Sequence, residues 1–461
     1  MKKGDILRVK IEEQRYPNEG IAHFDGRKIK VDGALKDQTV EVKVLKSGEK
    51  RIKVKNMGIV ERAAYETGPR CSFSDVCGGC TFPTLPYDIQ VEMKRREVLD
   101  QLEKNGVEFG EFRGIEACSR IKEYRNKMEF TFGDYEIGGK PQLGMHKKGR
   151  FMDVITVSDC MIADRDFQKI VQAVLDFFEE AGIPHYHKKD HSGFQRNLII
   201  RKSEKHRQLL VNLVTATGYD FDEEAFVTKL RNLPLKNEII GITHTYNDRV
   251  ADSVYCDRIR TLWGQDYYYE EILGLKFKVT PFSFFQTNTE AAERLYSYAV
   301  GLIPELEGKT IFDLYSGTGT ISQIMALRAK KVVGIELVEE AVEAARVNAE
   351  LNGLANCEFI AGDVFRALDR VEEKPDVIVV DPPRAGILPK ALRKILDYRV
   401  DTIVYVSCNP RTLAQNLAVM QQEGYRAVSV KTFDNFPFTK HIETCVLLVR
   451  ESAHDDEVVS I

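Results

Sequence analysis

The sequence predicts a multidomain chain: a small N-terminal β-barrel, a central α+β domain with a cysteine cluster, and a C-terminal α/β domain on a parallel sheet. Three observations predict it. Short strand-like runs separated by turn dipeptides fill residues 1–60. Residues 61–275 mix strands and helices and hold closely spaced cysteines. From about residue 276 the pattern becomes a regular strand–helix alternation.

Composition sets the frame. The 461 residues carry a net charge of −4 and nine cysteines. No apolar run approaches the ~18 residues of a membrane span, and the start, "MKKGDILRVK", has no apolar core behind its lysines. A cytoplasmic protein with no membrane partner is expected. There, close cysteines suggest metal rather than disulfides. Charge is uneven: residues 1–60 hold 15 Lys and Arg against 9 Asp and Glu, a surplus of six on an otherwise acidic chain. Such a module suits a polyanion.

In the first part, "ILRVKIE", "EGIAHFDGRKIKVDG" and "QTVEVKVLKSGEKRIKVKNMGIVE" alternate apolar and basic residues. Asp25-Gly26, Asp32-Gly33 and Ser47-Gly48 mark the turns, and the spacing predicts a small closed barrel. In the second part a helix is expected over about 88–104 and another near 165–181. Strands are expected at "KMEFTFGDY", "RNLIIRK", "QLLVNLVTA" and "IIGITHTYN". The segment "PRCSFSDVCGGCTF" spaces Cys71, Cys77 and Cys80 as C-x5-C-x2-C, a thiolate set suited to metal, with Cys118 or Cys160 available as a fourth ligand. Cys256, Cys357 and Cys445 read as packing residues, and His185, His187 and His191 could suggest metal but read more readily as a polar loop. The acidic tail after Arg450 is expected to fray.

The third part carries the chemistry. An apolar strand, Ile311 to Tyr315, runs into Ser316-Gly317-Thr318-Gly319, and a second strand ends at Glu336, 19 residues beyond Gly317. This is the Rossmann-like arrangement of a glycine turn and a ribose-binding carboxylate. The loop lacks the third glycine of a dinucleotide site, which favours a nucleoside without phosphates, S-adenosylmethionine being the obvious one. "DVIVVDPPRAG" puts Asp381 at the end of a buried strand, placed to touch cofactor or target base. Arg384 stands where amine methyltransferases often carry a stacking aromatic, which argues against amine methylation. "DTIVYVSCNP" brings Cys408 to the same sheet edge. A core cysteine falls more naturally inside a strand and a metal ligand has partners close in sequence, whereas a nucleophile belongs at the ligand edge. Glu443 precedes the last strand, placed either as a base in the site or as an ordinary surface residue.

Together "CSFSDVCGGC", "SFFQTN", "DLYSGTGTI", "DPPRAG", "VSCNP" and "HIETC" make the whole chain resemble the RNA uracil-5-methyltransferases, close to the branch acting on 23S ribosomal RNA. The resemblance implies an N-terminal TRAM/OB-like barrel (1–60), a central domain (61–275) and a class I S-adenosylmethionine-dependent methyltransferase domain (276–461). It implies Cys408 as nucleophile and Glu443 as general base, with Gln286, Tyr315, Glu336, Asp363 and Asp381 contacting S-adenosylmethionine. It selects Cys160 to join Cys71, Cys77 and Cys80 around a [4Fe–4S] cluster, zinc being the alternative. A monomer acting on RNA is expected.

Overall fold

The computed structural model describes residues 2–68, 71–251 and 254–451. The tail beyond Glu451 lies outside the described residues. The described chain forms two compact units. The first holds the residues up to Glu97 together with Pro437–Lys440, and the second holds the rest.

In the first unit, β1 (Ile6–Lys10), β2 (Glu13–Arg15), β3 (Glu19–Phe24), β4 (Arg27–Asp32), β5 (Thr39–Ser47) and β6 (Arg51–Glu61) make a six-stranded sheet in the order β1-β5-β6-β4-β3-β2. The expected closed barrel is closed only loosely. Its edge strands share no ladder among the described residues, and Glu12 N–H bonds to Ile21 O where the chain leaves β1. Strand alternation buries Val9, Ile29, Val40, Val42 and Ile52 on one side. The same alternation turns the basic residues outward. Lys28 pairs in register with Arg51, Lys30 with Lys53, and Lys46 also with Lys53. Glu19 neutralises Lys30 at 2.9 Å, and the other like charges set side by side are unfavourable unless a polyanion neutralises them. The cysteine segment follows as tight turns, with Cys77 N–H on Phe73 O and Gly79 N–H on Cys77 Sγ at 3.3 Å. Helix α1 (Tyr87–Lys104) carries the chain onward.

The second unit holds two large sheets. Strands β7 (Phe109–Glu116), β8 (Lys127–Asp134), β9 (Pro141–Lys147) and β10 (Arg150–Ile155) precede α2 (Arg165–Ala181). Then come β11 (Gln195–Ser203), β12 (Gln208–Thr215), α3 (Glu223–Arg231), β13 (Glu238–Tyr246) and β14 (Arg258–Gly264). All but β7 form a seven-stranded sheet, β10-β9-β8-β11-β12-β13-β14. Helix α2 is capped by Asp164, and its Phe167, Ile170, Val174 and Phe178 join the sheet in one core. Cys256 is exposed, correcting its reading as a packing residue. It lies between β13 and β14, outside either strand's buried face.

After a hairpin of β15 (Tyr268–Ile272) and β16 (Leu275–Val279) and helix α4 (Thr289–Gly301), the α/β alternation begins. Its elements are β17 (Thr310–Leu314), α5 (Thr320–Ala326), β18 (Lys331–Glu336), α6 (Glu339–Leu351), β19 (Cys357–Ala361) and α7 (Val364–Ala367). They continue with β20 (Val377–Val380), α8 (Pro389–Asp397), β21 (Thr402–Ser407), α9 (Pro410–Gln422), β22 (Tyr425–Phe433) and β23 (Glu443–Arg450). The eight-stranded sheet runs β19-β18-β17-β20-β21-β23-β22-β7. Five parallel strands are followed by the antiparallel β23, as in a class I methyltransferase fold. The far edge is β7, parallel to β22 although about 300 residues away in sequence, a pairing that local pattern does not reveal.

Candidate active site

Parallel strands present their carboxyl ends along one edge, and an antiparallel strand brings its beginning there. The ladder's last pair is Ser407 of β21 with Thr444 of β23, so Cys408, just past β21, and Glu443, the first residue of β23, lie at the same end of the ladder, where the Glu443 carboxylate acts on the thiol. Glu443 is buried and Cys408 half-buried. The thiol pKa is pushed up to about 11, by burial first and then by the Glu443 and Asp381 carboxylates, while the Arg384 guanidinium, hydrogen-bonded to it, pulls the other way. Cys408 also stands just before α9. Asn409 caps that helix, its Oδ1 accepting from Arg411 N–H at 3.2 Å, so the thiol lies near the positive end of a helix dipole.

Arg384 carries more than its sequence position indicated. Its carbonyl accepts from Asn409 Nδ2 at 2.8 Å and from Thr412 Oγ1 at 3.2 Å, tying the "DPPR" loop to the "SCNP" loop. Its guanidinium also bonds to the His441 ring. These loops come together only because β20 and β21 are sheet neighbours.

On the cofactor side, Glu336 is fully engaged. Its Oε2 accepts from Gly317 N–H at 3.0 Å and its Oε1 from Val338 N–H at 2.9 Å. Tyr315 sits at φ +66°, unusual for a side-chain-bearing residue and typical of strained site positions. Its pKa is raised to about 12 by burial, by Asp363 and by Glu336, which sets these three groups within one electrostatic neighbourhood. A Cβ on Gly319 would lie 2.7 Å from the Phe359 ring, so only glycine lets the loop pass there.

Asp381 is half-buried, with its pKa pushed up to about 7 by desolvation and by Asp313. Asp313, one strand away, is likewise raised to about 7 while its carboxylate bonds to Ser322 Oγ. Tyr296 of α4 links two expected residues that are far apart in sequence. Its buried hydroxyl is raised by burial and by Asp381 and Glu443, and it is hydrogen-bonded to Gln286. Gln286 therefore stands beside the carboxylate cluster.

The "SFFQTN" loop is held from outside the α/β region. Buried Asn126 donates to Gln286 O at 3.0 Å and to Thr289 Oγ1 at 2.8 Å, and buried Arg201 donates through Nε to Pro281 O at 2.9 Å and through its guanidinium to Ser283 O. Phe284 is left 69% exposed beside the glycine turn, its carbonyl accepting from Thr318 Oγ1. Asn126, Arg201, Tyr296 and Arg384 were not read as site residues from sequence. Arg384 alone had a signal, its place in "DPPR".

Of the expected metal ligands, Cys71, Cys77 and Cys80 lie half-buried in the first unit. Cys160 lies half-buried in the second, just before α2.

The tRNA (uracil-5-)-methyltransferase family model matches residues 118–451. The chain belongs to that family. Residues 1–50 match the TRAM domain. An uncharacterized RNA methyltransferase of Clostridium tetani is 46% identical over 98% of this chain and 99% of its own length. Another, from Caldanaerobacter subterraneus, is 45% identical over 97% and 99%. The crystal structure of Pyrococcus abyssi tRNA (uracil-54, C5)-methyltransferase in complex with S-adenosyl-L-homocysteine superposes with a TM-score of 0.77 at 26% identity, covering 96% of this chain and 99% of that one. The family's chemistry is RNA uracil-5 methylation, and the TRAM match fits the basic face of the first unit. Among the described residues no helix is long and apolar enough to cross a membrane.

Proposed function

We propose that this chain methylates carbon 5 of a uridine in 23S ribosomal RNA with S-adenosylmethionine, through covalent addition of Cys408. The observation that carries the reading is the thiol of Cys408 at the end of the β21–β23 ladder, within the electrostatic reach of Glu443 and hydrogen-bonded to Arg384.

S-adenosylmethionine, bound along Gln286, Tyr315, Glu336, Asp363 and Asp381, supplies the methyl group as an electrophilic sulfonium carbon. The Cys408 thiolate adds to carbon 6 of uracil, and the pair of electrons released from the ring double bond makes carbon 5 nucleophilic. Carbon 5 would attack the methyl carbon as its bond to sulfur breaks, with S-adenosylhomocysteine as the leaving group. Glu443 then removes the proton from carbon 5, the double bond re-forms, and the thiolate leaves. In the unliganded protein the raised pKa keeps the thiol protonated. Arg384 and the α9 terminus are the fixed positive elements that favour its ionisation. The target base must leave its stack to reach this edge.

The reading divides the chain into an RNA-binding barrel (1–60), a central domain (61–275) and the catalytic domain (276–461). The basic face of Lys28, Lys30, Lys46, Arg51 and Lys53 supports a phosphate-binding role for the barrel. Cys71, Cys77, Cys80 and Cys160 would hold a [4Fe–4S] cluster. The half-buried thiols and the Gly79 N–H aimed at Cys77 Sγ suit thiolate ligands, and methyl transfer needs no electron, so the cluster would have a structural or RNA-positioning role. Anaerobically purified protein should be brown, and a colourless, zinc-loaded sample would refute the cluster.

Transfer RNA is the second reading, favoured by the substrate named for the Pyrococcus enzyme. Mapping 5-methyluridine across ribosomal and transfer RNA with and without the gene decides between them. Loss at a 23S position supports the first, loss at a transfer RNA position supports the second, and unchanged methylation in both rejects the enzyme.

A further inference from the structure

Away from the methyl-transfer edge, the end of β8 meets the connection from α2 to β11. Asp134 closes β8, and His185 and His187 stand on that connection. One ligand atom from each of these three residues lies within 4.8 Å of the others. We propose that Asp134, His185 and His187 form a divalent metal site, for which zinc is the best-suited ion.

The spacing is that of ligands around an ion. His185 Nε2 and Asp134 Oδ1 are 3.6 Å apart, longer than a hydrogen bond. Two ligands at ~2.0–2.1 Å from a tetrahedral zinc are about 3.4 Å apart. The two imidazole centroids are 4.3 Å apart with the rings tilted by 50°, so both converge on the carboxylate without stacking.

The surroundings fix this convergence. Asp134 Oδ2 accepts from Gly138 N–H at 2.9 Å, which orients the carboxylate and leaves Oδ1 facing His185. Tyr186 N–H bonds to Gln195 O at 2.8 Å and His187 N–H to Ser192 O at 2.7 Å, pinning the loop in extended pairing. Alternation along that stretch sends His185 and His187 to one side and Tyr186 to the other, where it receives the Arg196 guanidinium at 4.2 Å. Gly193 closes the loop so tightly that a Cβ there would lie 2.0 Å from His185 O. His191 takes a separate role, its Nδ1 meeting the Tyr186 hydroxyl at 3.1 Å. The reading of all three histidines as a polar loop is thus refined to two ligands and one loop residue.

Asp134 and His185 are each 9% exposed whereas His187 is half-buried, so the site is open on the His187 side. That leaves a fourth position for water or for an oxygen of a partner. The three donors are nitrogen and oxygen, chemically distinct from the cysteine set. The ion would clamp the α2–β11 connection to the end of β8.

Zinc titration of the full-length protein, followed by zinc-edge X-ray absorption, tests the proposal. The expected result is one bound zinc with a nitrogen/oxygen shell at ~2.0 Å, lost in His187→Ala and Asp134→Asn. Zinc should also raise the melting temperature of the parent and of neither variant. Both variants are to be compared with the parent by melting without added metal, and His187, being half-buried, is the gentler change. No bound zinc, a shell of sulfur at ~2.3 Å, or equal zinc content in the parent and His187→Ala would each overturn it.

Discussion

The two large sheets of the second unit contribute to the candidate site in opposite ways. The parallel sheet places its candidate residues at strand ends, where Glu336 closes β18 and Tyr315, Asp363, Asp381 and Cys408 follow β17, β19, β20 and β21. The seven-stranded sheet contributes from buried positions at its own strands, with Asn126 just before β8 and Arg201 within β11 holding the loop that carries Gln286. Under the proposed function the first kind of residue meets substrate or methyl donor, and it leaves a motif. The second only positions another residue, and leaves none.

This difference ranks the expected effects of substitution. Cys408→Ala should abolish methylation, by about 10⁴-fold or more, and should end covalent adduct formation with 5-fluorouridine RNA. If that variant still forms the adduct on denaturing gels, the nucleophile lies elsewhere. Glu443→Gln should slow turnover by ~10²–10⁴-fold while still adding to the base, so that a methylated protein–RNA adduct accumulates. Recovery of free RNA without an adduct would remove Glu443 as the base.

Arg384→Gln removes a charge-assisted hydrogen bond of ~1.5–3 kcal/mol from the thiolate, about a 10–150-fold loss. With the thiol pKa near 11, adduct formation should climb about tenfold per pH unit above neutrality, and the variant's profile should move further to alkaline pH. An unmoved profile would reduce Arg384 to a loop tie. On the supporting side, Asn126→Ala removes the donor to Gln286 O and Thr289 Oγ1, costing ~1–3 kcal/mol of stability, with a weaker hold on the methyl donor. Unchanged donor affinity would show that the seven-stranded sheet does not position the site.

The effect that bears least on catalysis concerns Asp313. Its folded pKa of about 7 exceeds the ordinary 3.8, so the protonated form favours the fold. The contribution is complete below pH ~4 and disappears as pH rises through about 7. Asp313→Asn should therefore melt at a higher temperature than the parent above pH 7 and little differently at pH 4. Equal melting curves at both pH values would place the carboxyl in a less costly environment.

The sequence by itself determined the α/β alternation, the glycine turn, the "DPPR" and "SCNP" loops and the cysteine spacing. Each of these is local: periodicity, turn chemistry and short motifs are written within a few residues of one another. Only the tertiary structure decided that β7 completes the edge of the eight-stranded sheet. It alone set Arg384 against Cys408, connected Gln286 through Tyr296 to Asp381, and brought Asp134 to two histidines some 50 residues away. Those partners meet through strand order and register, which depend on the whole chain burying its apolar faces at once. A single segment carries no record of which strand it will lie beside.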